Sequence, residues 1–516
     1  MAALAGARLR YVTTRAQFTK YSMKHDLDKQ IIETWPDQMR EKFWTPLIMA
    51  LLKKHYIGFL LAGALSNLAV FAVRFISVFE QHGLQPTSGS EGEGAFGIYR
   101  ACTNQPIYHD FSQVPNPALY NFLFYNVYGY LIRFFSSCDA TPLIGRFITL
   151  SLLVIAAGLI WFAGRAAFGK VEAGVLALAL FSPTIGWWAF ALRPDVGGMT
   201  FLTAALLCFV YYLNNPRLWI LLLSGVCLIG AWGFKQPFAF AAPVMLGYTF
   251  IHNRNHSIAL LLLLVLGFCA PLLMYTPTLY LLHTVTLPSS NPFDQFVALR
   301  NAVTFFSKSF GVLIPATLIG WIALRSEPLR SGTNFLFSTF VISFALSTIL
   351  AGYLGASDNN FFPTFVAGTL VIAVGSSQVH KSARRLSLLI LSLVTLIQSG
   401  LLLTGIRGKL DLPEDTTRVA PVLSAALVEM PGPKLVWHPS LGLPWNTPGV
   451  ETRILDSNDD LAAAPRIPGA IDLKSLLASG FYGSVAIPAG ARGLIDPSKY
   501  RLKAQIGPLL IFARME

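Results

Sequence analysis

Three carboxylates stand out in the polar segment that follows the first long apolar run of this 516-residue chain. The segment starting at Ser90 reads SEGEGAFG, which places a glycine after Glu91 and on both sides of Glu93, and it continues to Tyr108-His109-Asp110. Glycines beside a carboxylate permit tight turns and a close approach of a substrate. A carboxylate at a membrane surface can act as a general base or as a metal ligand. The alternative is an ordinary polar loop, and the spacing alone leaves both interpretations open.

Two later sites carry charge between apolar runs. Arg193-Pro194-Asp195 lies between two such runs and is either functional or an ion pair at a span end. Lys235, in Phe234-Lys235-Gln236-Pro237, is the only charged residue across 218–253. A lone cation at that depth is expensive without a partner, and a phosphate oxygen would be a natural one. The alternative is a lysine that snorkels to the interface.

Weaker signals come from other polar and aromatic residues. Asn359 lies in the stretch Gly355–Phe362, which predicts either a substrate contact or a polar turn. His109 has no second His or Cys at a metal-binding spacing, so we predict no metal site there. Trp187 and Trp188 are interpreted as aromatics of the interfacial belt. Cys102 and Cys138 can pair if they face an oxidising space.

The elements that must position these residues are apolar. The chain is 54% hydrophobic and only 13% charged, with a mean hydropathy of +0.55, which excludes a soluble enzyme and a disordered chain. Each long apolar segment has about the 17–25 residues needed to cross a bilayer. We therefore predict an all-α polytopic membrane protein with about eleven spans, at 57–79, 143–164, 172–191, 196–213, 217–234, 237–252, 257–281, 309–325, 333–353, 361–378 and 386–405.

The placement of charge predicts the orientation. The segment 118–135 is aromatic but interrupted by polar residues, and we interpret it as an interfacial helix. With the N-terminus inside, the inner loops carry nine basic and two acidic residues, whereas the outer side carries eight of each. Making 118–135 a span would destroy this bias. The net charge of +13 therefore reflects membrane topology, and we expect no nucleic-acid partner.

Three regions follow from this pattern. Residues 1–55 form a basic arm, predicted to be cytosolic; residues 56–406 form the transmembrane domain, with 80–142 as its first outer loop. Residues 407–516 have a soluble composition, with a helical stretch at 418–430 and strand-like runs at 434–437, 484–487 and 509–512. This mixture predicts a small α/β domain on the outer face.

The first outer loop resembles that of a known family. Its order, Glu-Gly … Tyr … Gln-Pro-Ile-Tyr-His-Asp … Pro … Tyr-Asn-Phe-Leu-Phe-Tyr between Glu91 and Tyr125, is similar to GT-C fold glycosyltransferases. The closest pattern is that of bacterial polyprenyl-phosphate-sugar enzymes, akin to protein O-mannosyltransferases and the lipid A aminoarabinose transferase. The resemblance covers the architecture of about 350 residues, with its specific part in about 35. It implies a membrane glycosyltransferase whose active site lies at the outer face.

One departure leaves the catalytic base open. The mannosyltransferases carry an Asp-Glu pair, and Gly92 stands where that Asp would be. Glu93, Glu91 or Asp110 could take its place, and we favour Glu93. The resemblance implies catalytic roles for Glu93, Asp110 and Asp195, and substrate contacts from Glu91, Tyr108, Arg193, Lys235 and Asn359.

The expected reaction moves a sugar from a polyprenyl phosphate to an acceptor hydroxyl, with inversion. The base takes the hydroxyl proton, and cations stabilise the departing phosphate. We expect no required cofactor, although a divalent metal is possible; the acceptor is a glycan, a lipid or a protein. The expected location is a bacterial inner membrane, with the active site and the C-terminal domain in the periplasm. The main alternative is a transporter or flippase for a lipid-linked glycan, which would need polar residues at mid-span.

Overall fold

The computed structural model describes most of the membrane domain and the core of the C-terminal domain. The described residues are 46–80, 83–84, 87, 91–110, 118–328, 331–353, 355–405, 422–423, 425–430, 432–436, 450–452, 473–507 and 509–515. The predicted basic arm therefore lies outside the described residues, except for 46–55.

The described membrane domain is helical throughout. Its helices are α1 (Pro46–Glu80), α2 (Glu91–Cys102), α3 (Phe122–Phe135), α4 (Thr141–Phe168), α5 (Lys170–Ala177), α6 (Asp195–Asn214), α7 (Leu218–Phe234), α8 (Ala241–His252), α9 (Arg254–Met274), α10 (Pro277–Leu281), α11 (Leu287–Ser290), α12 (Gln295–Ser326), α13 (Gly332–Leu350), α14 (Phe362–Gly375) and α15 (Lys381–Leu403). Short 3-10 turns stand at 138–140, 178–181, 186–189, 236–240 and 358–361, and a π-helical turn covers 282–286.

Seven described helices are long and apolar enough to cross a membrane. They correspond to the predicted spans in α1, α4, α6, α9, α12, α13 and α15. α7 is apolar but has only 17 residues, and the predicted span at 172–191 is broken into α5 and two 3-10 turns. The count of eleven spans is therefore not confirmed. The prediction for 118–135 fits better, because α3 has 14 residues and is not among the span-length helices.

The centre of the bundle is α14. Every residue from Phe362 to Gly375 is buried except Val374, and the helix packs against α4, α6, α12 and α13. A helix that is apolar all round is stable only when other helices cover it on every side. By contrast, α9 exposes a row of large apolar side chains such as Leu266 and Leu273. Such a face is typical of a helix that contacts lipid.

The first outer loop is folded around two helices. α2 packs against α3, and together they form an aromatic core that includes Tyr108, Phe124 and Tyr128. The Cys102–Cys138 disulfide joins the last residue of α2 to the turn before α4, so the conditional pairing is confirmed. Disulfides persist in oxidising compartments, which agrees with the predicted outer position of this loop.

The C-terminal domain contains a mixed sheet. Its strands are β1 (Lys434–Val436), β2 (Val450–Thr452), β3 (Ser484–Pro488), β4 (Tyr500–Ile506) and β5 (Leu509–Arg514), in the order β2-β1-β3-β5-β4. β1 is parallel to β2 and β3, whereas β5 runs antiparallel to β3 and β4. A helix, α16 (Leu473–Ser479), covers the sheet through Leu476 and Leu477. The prediction of a small α/β domain is confirmed, although β2 and β4 were not predicted.

Candidate active site

The first turn of α2 is anchored through Glu91. This side chain is fully buried and forms an ion pair of 2.9 Å with Arg146 of α4. Its Oε1 accepts a hydrogen bond from the Leu192 amide at 2.7 Å, and its Oε2 accepts one from the Thr87 amide at 2.5 Å. Two backbone donors and a guanidinium thus occupy the carboxylate of Glu91. These contacts fix the position of the helix start.

The glycines around the carboxylates do not form the predicted turns, because they lie inside α2. What they provide is close packing. A Cβ at Gly94 would lie 2.4 Å from the Leu192 carbonyl oxygen, and one at Gly97 would lie 2.3 Å from the Tyr125 ring. Glycine normally weakens a helix, so its use here indicates that α2 must approach its neighbours closely. The prediction of turns was wrong, and the close approach is made by the protein itself.

Glu93 lies in the same first turn of α2 as Glu91, and its side chain is almost completely buried. The carboxylate is close enough to Arg193 to raise the pKa of that guanidinium. A carboxylate in the first turn is also stabilised by the helix dipole, which favours its ionised form. Glu93 therefore offers a carboxylate in a fixed position near Arg193, as a general base requires.

Side chains from distant parts of the chain meet at Asp195. It contacts both Lys235 and Asn359, although 164 residues separate Asp195 from Asn359. The Lys235 ammonium lies 2.7 Å from Asp195 Oδ1, and Asn359 Nδ2 donates to the same oxygen at 3.0 Å. Asp195 begins α6 and Lys235 follows α7, positions where helix dipoles favour an anion and a cation respectively. The interpretation of Lys235 as a lone cation was wrong, because Asp195 is its partner. Burial nevertheless lowers the pKa of Lys235, and Asp195 opposes this shift.

Arg193 connects this ion pair to aromatic side chains. Its Nε lies 3.8 Å from Asp195 Oδ2, and its guanidinium lies 4.6 Å from the centre of the Trp188 ring and 5.5 Å from that of Tyr120. Burial acts to lower the pKa of Arg193, but Tyr120, Asp195 and Glu93 raise it above its ordinary value. Arg193 therefore stays cationic. Trp188 belongs to the site, so its interpretation as a belt aromatic was incomplete.

Tyr108 packs within a group of aromatic side chains that includes Tyr275 and Tyr280. It is buried, its hydroxyl donates to the Tyr120 carbonyl at 2.8 Å, and its ring meets Tyr275 and Tyr280 edge-on. Burial raises the pKa of Tyr108 well above its ordinary value, which keeps the phenol neutral. These contacts hold the backbone of Tyr120 in place, and the ring of Tyr120 lies against the Arg193 guanidinium.

The sequence analysis missed His283, which joins two parts of the first outer loop. Its Nδ1 accepts a hydrogen bond from the Ala118 amide at 2.9 Å, and its Nε2 lies 2.8 Å from the His109 carbonyl oxygen. Because an amide only donates and a carbonyl only accepts, the ring is the neutral tautomer with its proton on Nε2. Burial lowers the pKa of His283 to about 4. No charge or motif around position 283 marked it in the sequence.

Two other outcomes concern Asp110 and Arg146. Asp110 is exposed at the end of a described segment, and its catalytic role stays a prediction. Arg146 was not predicted as a site residue, yet it is fully buried and donates to the carbonyl oxygens of Gly83 and Phe190. Its signal was present, since a single charge near the start of a long apolar segment needs a partner.

The described residues do not form a recognisable metal site. They contain no group of three or more His, Cys, Asp or Glu side chains placed to hold a metal ion. Asp195 already contacts Lys235 and Asn359 through one oxygen.

Comparison with solved structures identifies the fold. The crystal structure of ArnT from Cupriavidus metallidurans bound to undecaprenyl phosphate matches with a TM-score of 0.58, covering 87% of this chain and 97% of that one at 13% identity. The chain has the GT-C glycosyltransferase fold. The apo state of the same ArnT matches with a TM-score of 0.55, again with 13% identity and the same coverage.

A second GT-C protein is less similar to this chain. The Archaeoglobus fulgidus oligosaccharyltransferase, in a complex with Zn and sulfate, has a TM-score of 0.49 and 11% identity; the match covers 84% of this chain and 68% of that one. No family profile matches the sequence, and no curated protein matches it. The GT-C assignment therefore concerns the fold, and the resemblance in the first outer loop agrees with it.

Proposed function

We propose that this protein is an integral-membrane glycosyltransferase that transfers a sugar from a polyprenyl-phosphate donor to an acceptor hydroxyl. The observation that carries the proposal is the meeting of Arg193, Lys235 and Asn359 around Asp195 in a GT-C fold, with Glu93 near enough to raise the pKa of Arg193. ArnT, which shares this fold, binds undecaprenyl phosphate. The donor, acceptor and stereochemistry belong to the proposal.

Glu93 is the proposed general base. It accepts the proton of the acceptor hydroxyl while the hydroxyl oxygen attacks the anomeric carbon of the donor. The bond from that carbon to the phosphate oxygen breaks, and polyprenyl phosphate leaves with the electron pair. A single displacement inverts the anomeric configuration. The fixed first turn of α2 supports this role, because a base held in place avoids the entropic cost of orientation.

Arg193 is the proposed contact of the leaving phosphate. Its charge is held over two aromatic rings, and its side chain is still 14% exposed, so that a ligand can reach it. Asp195 and Asn359 position Arg193 and Lys235, and Lys235 supplies a second cation to the same anion. Charge-assisted hydrogen bonds to a developing phosphate stabilise the transition state more than the ground state.

The structure also suggests changes to two proposed roles. Glu91 has its contacts with Arg146, Leu192 and Thr87, so we propose it as a positioning residue for α2 rather than as a substrate contact. We propose the same for Tyr108, whose hydroxyl and ring face protein groups. Asp110 remains a candidate for contact with the acceptor. No cofactor is required by the proposed steps.

The test is sugar transfer by purified protein in detergent or nanodiscs. A panel of radiolabelled polyprenyl-phosphate sugars would be offered with candidate acceptors, and the release of polyprenyl phosphate would be measured. We expect Glu93→Gln to lower kcat by about a hundred-fold to ten-thousand-fold, as removal of a general base typically does. Glu80→Gln is the matched control, because Glu80 is an exposed glutamate at the end of α1.

Three outcomes would change the proposal. Full activity in Glu93→Gln with loss in Asp110→Asn would move the base to Asp110. Activity that disappears with EDTA and returns with Mg²⁺ would add a metal. No turnover of any donor by the wild type, together with movement of a lipid-linked glycan across vesicles, would favour the flippase alternative.

A further inference from the structure

Arg74 is a buried cation in α1 that takes no part in the site described so far. It lies six residues before the end of α1, in the half of the helix that is predicted to be outermost, and its side chain is only 6% exposed. Charged side chains within a span are costly, and they usually pair with another group or serve a ligand.

Unlike the other buried cations described in the membrane domain, Arg74 has no hydrogen-bond or ion-pair partner among the described residues. Arg100 donates to the Pro106 carbonyl at 2.7 Å, Arg146 pairs with Glu91, and Lys235 pairs with Asp195. Among the described residues, no hydrogen bond or ion pair involves Arg74, and its Nε is buried without an acceptor. A buried guanidinium without a counter-charge destabilises a fold unless something else compensates it.

The contact that Arg74 does make places it beside the candidate active site. Its guanidinium lies 5.0 Å from the centre of the Trp187 ring, and the next residue, Trp188, carries the guanidinium of Arg193 at 4.6 Å. Two cations thus lie on consecutive indoles of one 3-10 turn. That turn begins at Gly186, where the backbone has a φ of 57° and a Cβ would lie 3.4 Å from Arg74 Nη1.

A second polar group without a hydrogen-bond partner among the described residues is the side chain of Ser182, directly after the 3-10 turn at 178–181. Ser182 accepts a hydrogen bond from the Gly186 amide through its carbonyl oxygen, and its side chain is buried. Among the described residues, no group forms a hydrogen bond with Ser182 Oγ. A buried hydroxyl and a buried guanidinium without partners, in neighbouring elements, are the donors that an anion needs.

The charges of the candidate active site also favour binding of an anion by Arg74. In the candidate active site Glu93 and Asp195 offset Arg193 and Lys235, and Glu91 offsets Arg146. The phosphate of a polyprenyl phosphate would therefore add negative charge to a balanced set of residues. Arg74 supplies a positive charge that no described carboxylate offsets.

We propose that Arg74 binds a phosphate group of a membrane lipid. The inference rests on the proposed function in taking that lipid to be the polyprenyl-phosphate donor or its product. The shared chemistry is a phosphate ester at the membrane surface, and a bulk anionic phospholipid is the other possible source. Removing Arg74 therefore weakens phosphate-lipid binding without removing the base or the charges around Asp195.

The test compares lipid binding by Arg74→Gln, Arg74→Lys and the wild type, as full-length protein in neutral-lipid nanodiscs. The probes are undecaprenyl phosphate, uncharged undecaprenol and phosphatidylglycerol, each titrated by native mass spectrometry. The control is Arg325→Gln, because Arg325 is an exposed arginine whose guanidinium lies 4.7 Å from the Trp321 ring. It removes the same charge from a similar cation–π contact.

We expect Arg74→Gln to weaken undecaprenyl phosphate binding by about ten-fold or more, as loss of a charge-assisted hydrogen bond does. Arg74→Lys should retain part of the affinity, and Arg325→Gln should retain all of it. Undecaprenol should bind Arg74→Gln and wild type equally. Without lipid, Arg74→Gln should melt no lower than wild type, because an uncompensated buried charge is removed.

Each contrary result has a separate meaning. Equal undecaprenyl phosphate binding by wild type and Arg74→Gln would overturn the inference and leave the proposed function intact. A lower Tm of Arg74→Gln with equal losses for undecaprenol would also overturn it, because Arg74 would then be structural. If phosphatidylglycerol alone binds in an Arg74-dependent way, the phosphate site stands and the proposed donor is wrong. If the wild type binds neither phosphate lipid, both proposals fall.

Discussion

The Glu91–Arg146 and Asp195–Lys235 ion pairs are both buried, and their surroundings differ. In the Glu91–Arg146 pair both side chains are completely buried, and backbone groups fill the remaining hydrogen-bonding capacity. In the Asp195–Lys235 pair the cation keeps 10% of its surface exposed, and Arg193 beside it keeps 14%. The first pair has no room for a ligand, whereas the second can receive one. Similar residue types therefore support structure in one place and are available for chemistry in the other.

The comparison predicts opposite profiles of stability and activity. The completely buried Glu91–Arg146 pair, here called the sealed pair, contributes mainly to the stability of the fold, because breaking it leaves an uncompensated buried charge. The partly exposed Asp195–Lys235 pair, here called the open pair, contributes mainly to the proposed reaction, because water can solvate the charged side chain that remains after its partner is substituted. Four changes test this division, and they follow from the largest expected effect to the smallest.

Breaking the sealed pair should have the largest effect. Glu91→Gln leaves the Arg146 guanidinium buried without its counter-charge, and we expect a loss of about 3–5 kcal/mol in the free energy of unfolding. Thermal unfolding in a fixed detergent measures this loss. The double variant Glu91→Gln/Arg146→Met should recover part of it. If both are as stable as wild type, the pair does not anchor α2.

Changing the open pair should affect activity more than stability. Asp195→Asn removes the counter-charge of Lys235 and loosens Arg193, and we expect a loss of about a hundred-fold in kcat/KM, the scale of one electrostatic contact in a transition state. The Tm should fall less than in Glu91→Gln. Transfer assays and melting curves on the same preparations decide this, and the reverse ranking would contradict the comparison.

The close approach of α2 to Leu192 gives a third test. Gly94→Ala puts a Cβ 2.4 Å from a backbone oxygen that cannot move aside easily, so we expect a loss of about 1–3 kcal/mol. Activity should fall as well, because α2 carries Glu93. Gly158→Ala in α4 is the control, since nothing lies within 4 Å of its Cβ position. Equal stability of the two alanine variants would mean that α2 shifts without cost.

The contribution of His283 to stability should depend on pH. The pKa of His283 is lowered to about 4 by burial, below the ordinary value of 6.5, so the folded protein holds the ring neutral. The unfolded chain binds this proton more readily, and the contribution of His283 to stability is lost as the pH falls from about 6.5 to about 4. His283→Gln should make the Tm less dependent on pH in that range. An unchanged slope would assign the acid sensitivity to other groups.

The sequence predicted the fold class well because composition and segment length carry that information. The span count is not confirmed, since a run of apolar residues such as 172–191 does not show that its helix is interrupted near Pro183 and Gly186. It also assigned the glycines near Glu91 to turns, because their local preference is the same in both cases. In the structure these glycines lie inside α2, and two of them allow its close packing against Leu192 and Tyr125.

In the candidate site the sequence marked the charged residues but not their partners. Asp195, Lys235 and Asn359 stood out individually, and their meeting depends on contacts between distant elements. Arg146 and His283 were missed because they act on other protein groups. Arg74 was counted only as a charge at the outer side. A single sequence gives residue types, whereas the pairing of charges is a property of the fold.

The order of these contacts along the chain bears on biosynthesis. Glu91 finds Arg146, and Cys102 finds Cys138, as soon as α4 has been made, so α2 is secured early in translation. Asp195 must wait for Asn359, which the ribosome adds 164 residues later. A chain stopped before Asn359 would contain the residues of the Glu91–Arg146 pair and of the Cys102–Cys138 disulfide, but it would lack the contact between Asn359 and Asp195. Under the proposed function, the candidate site would be complete only when most of the membrane domain has been made.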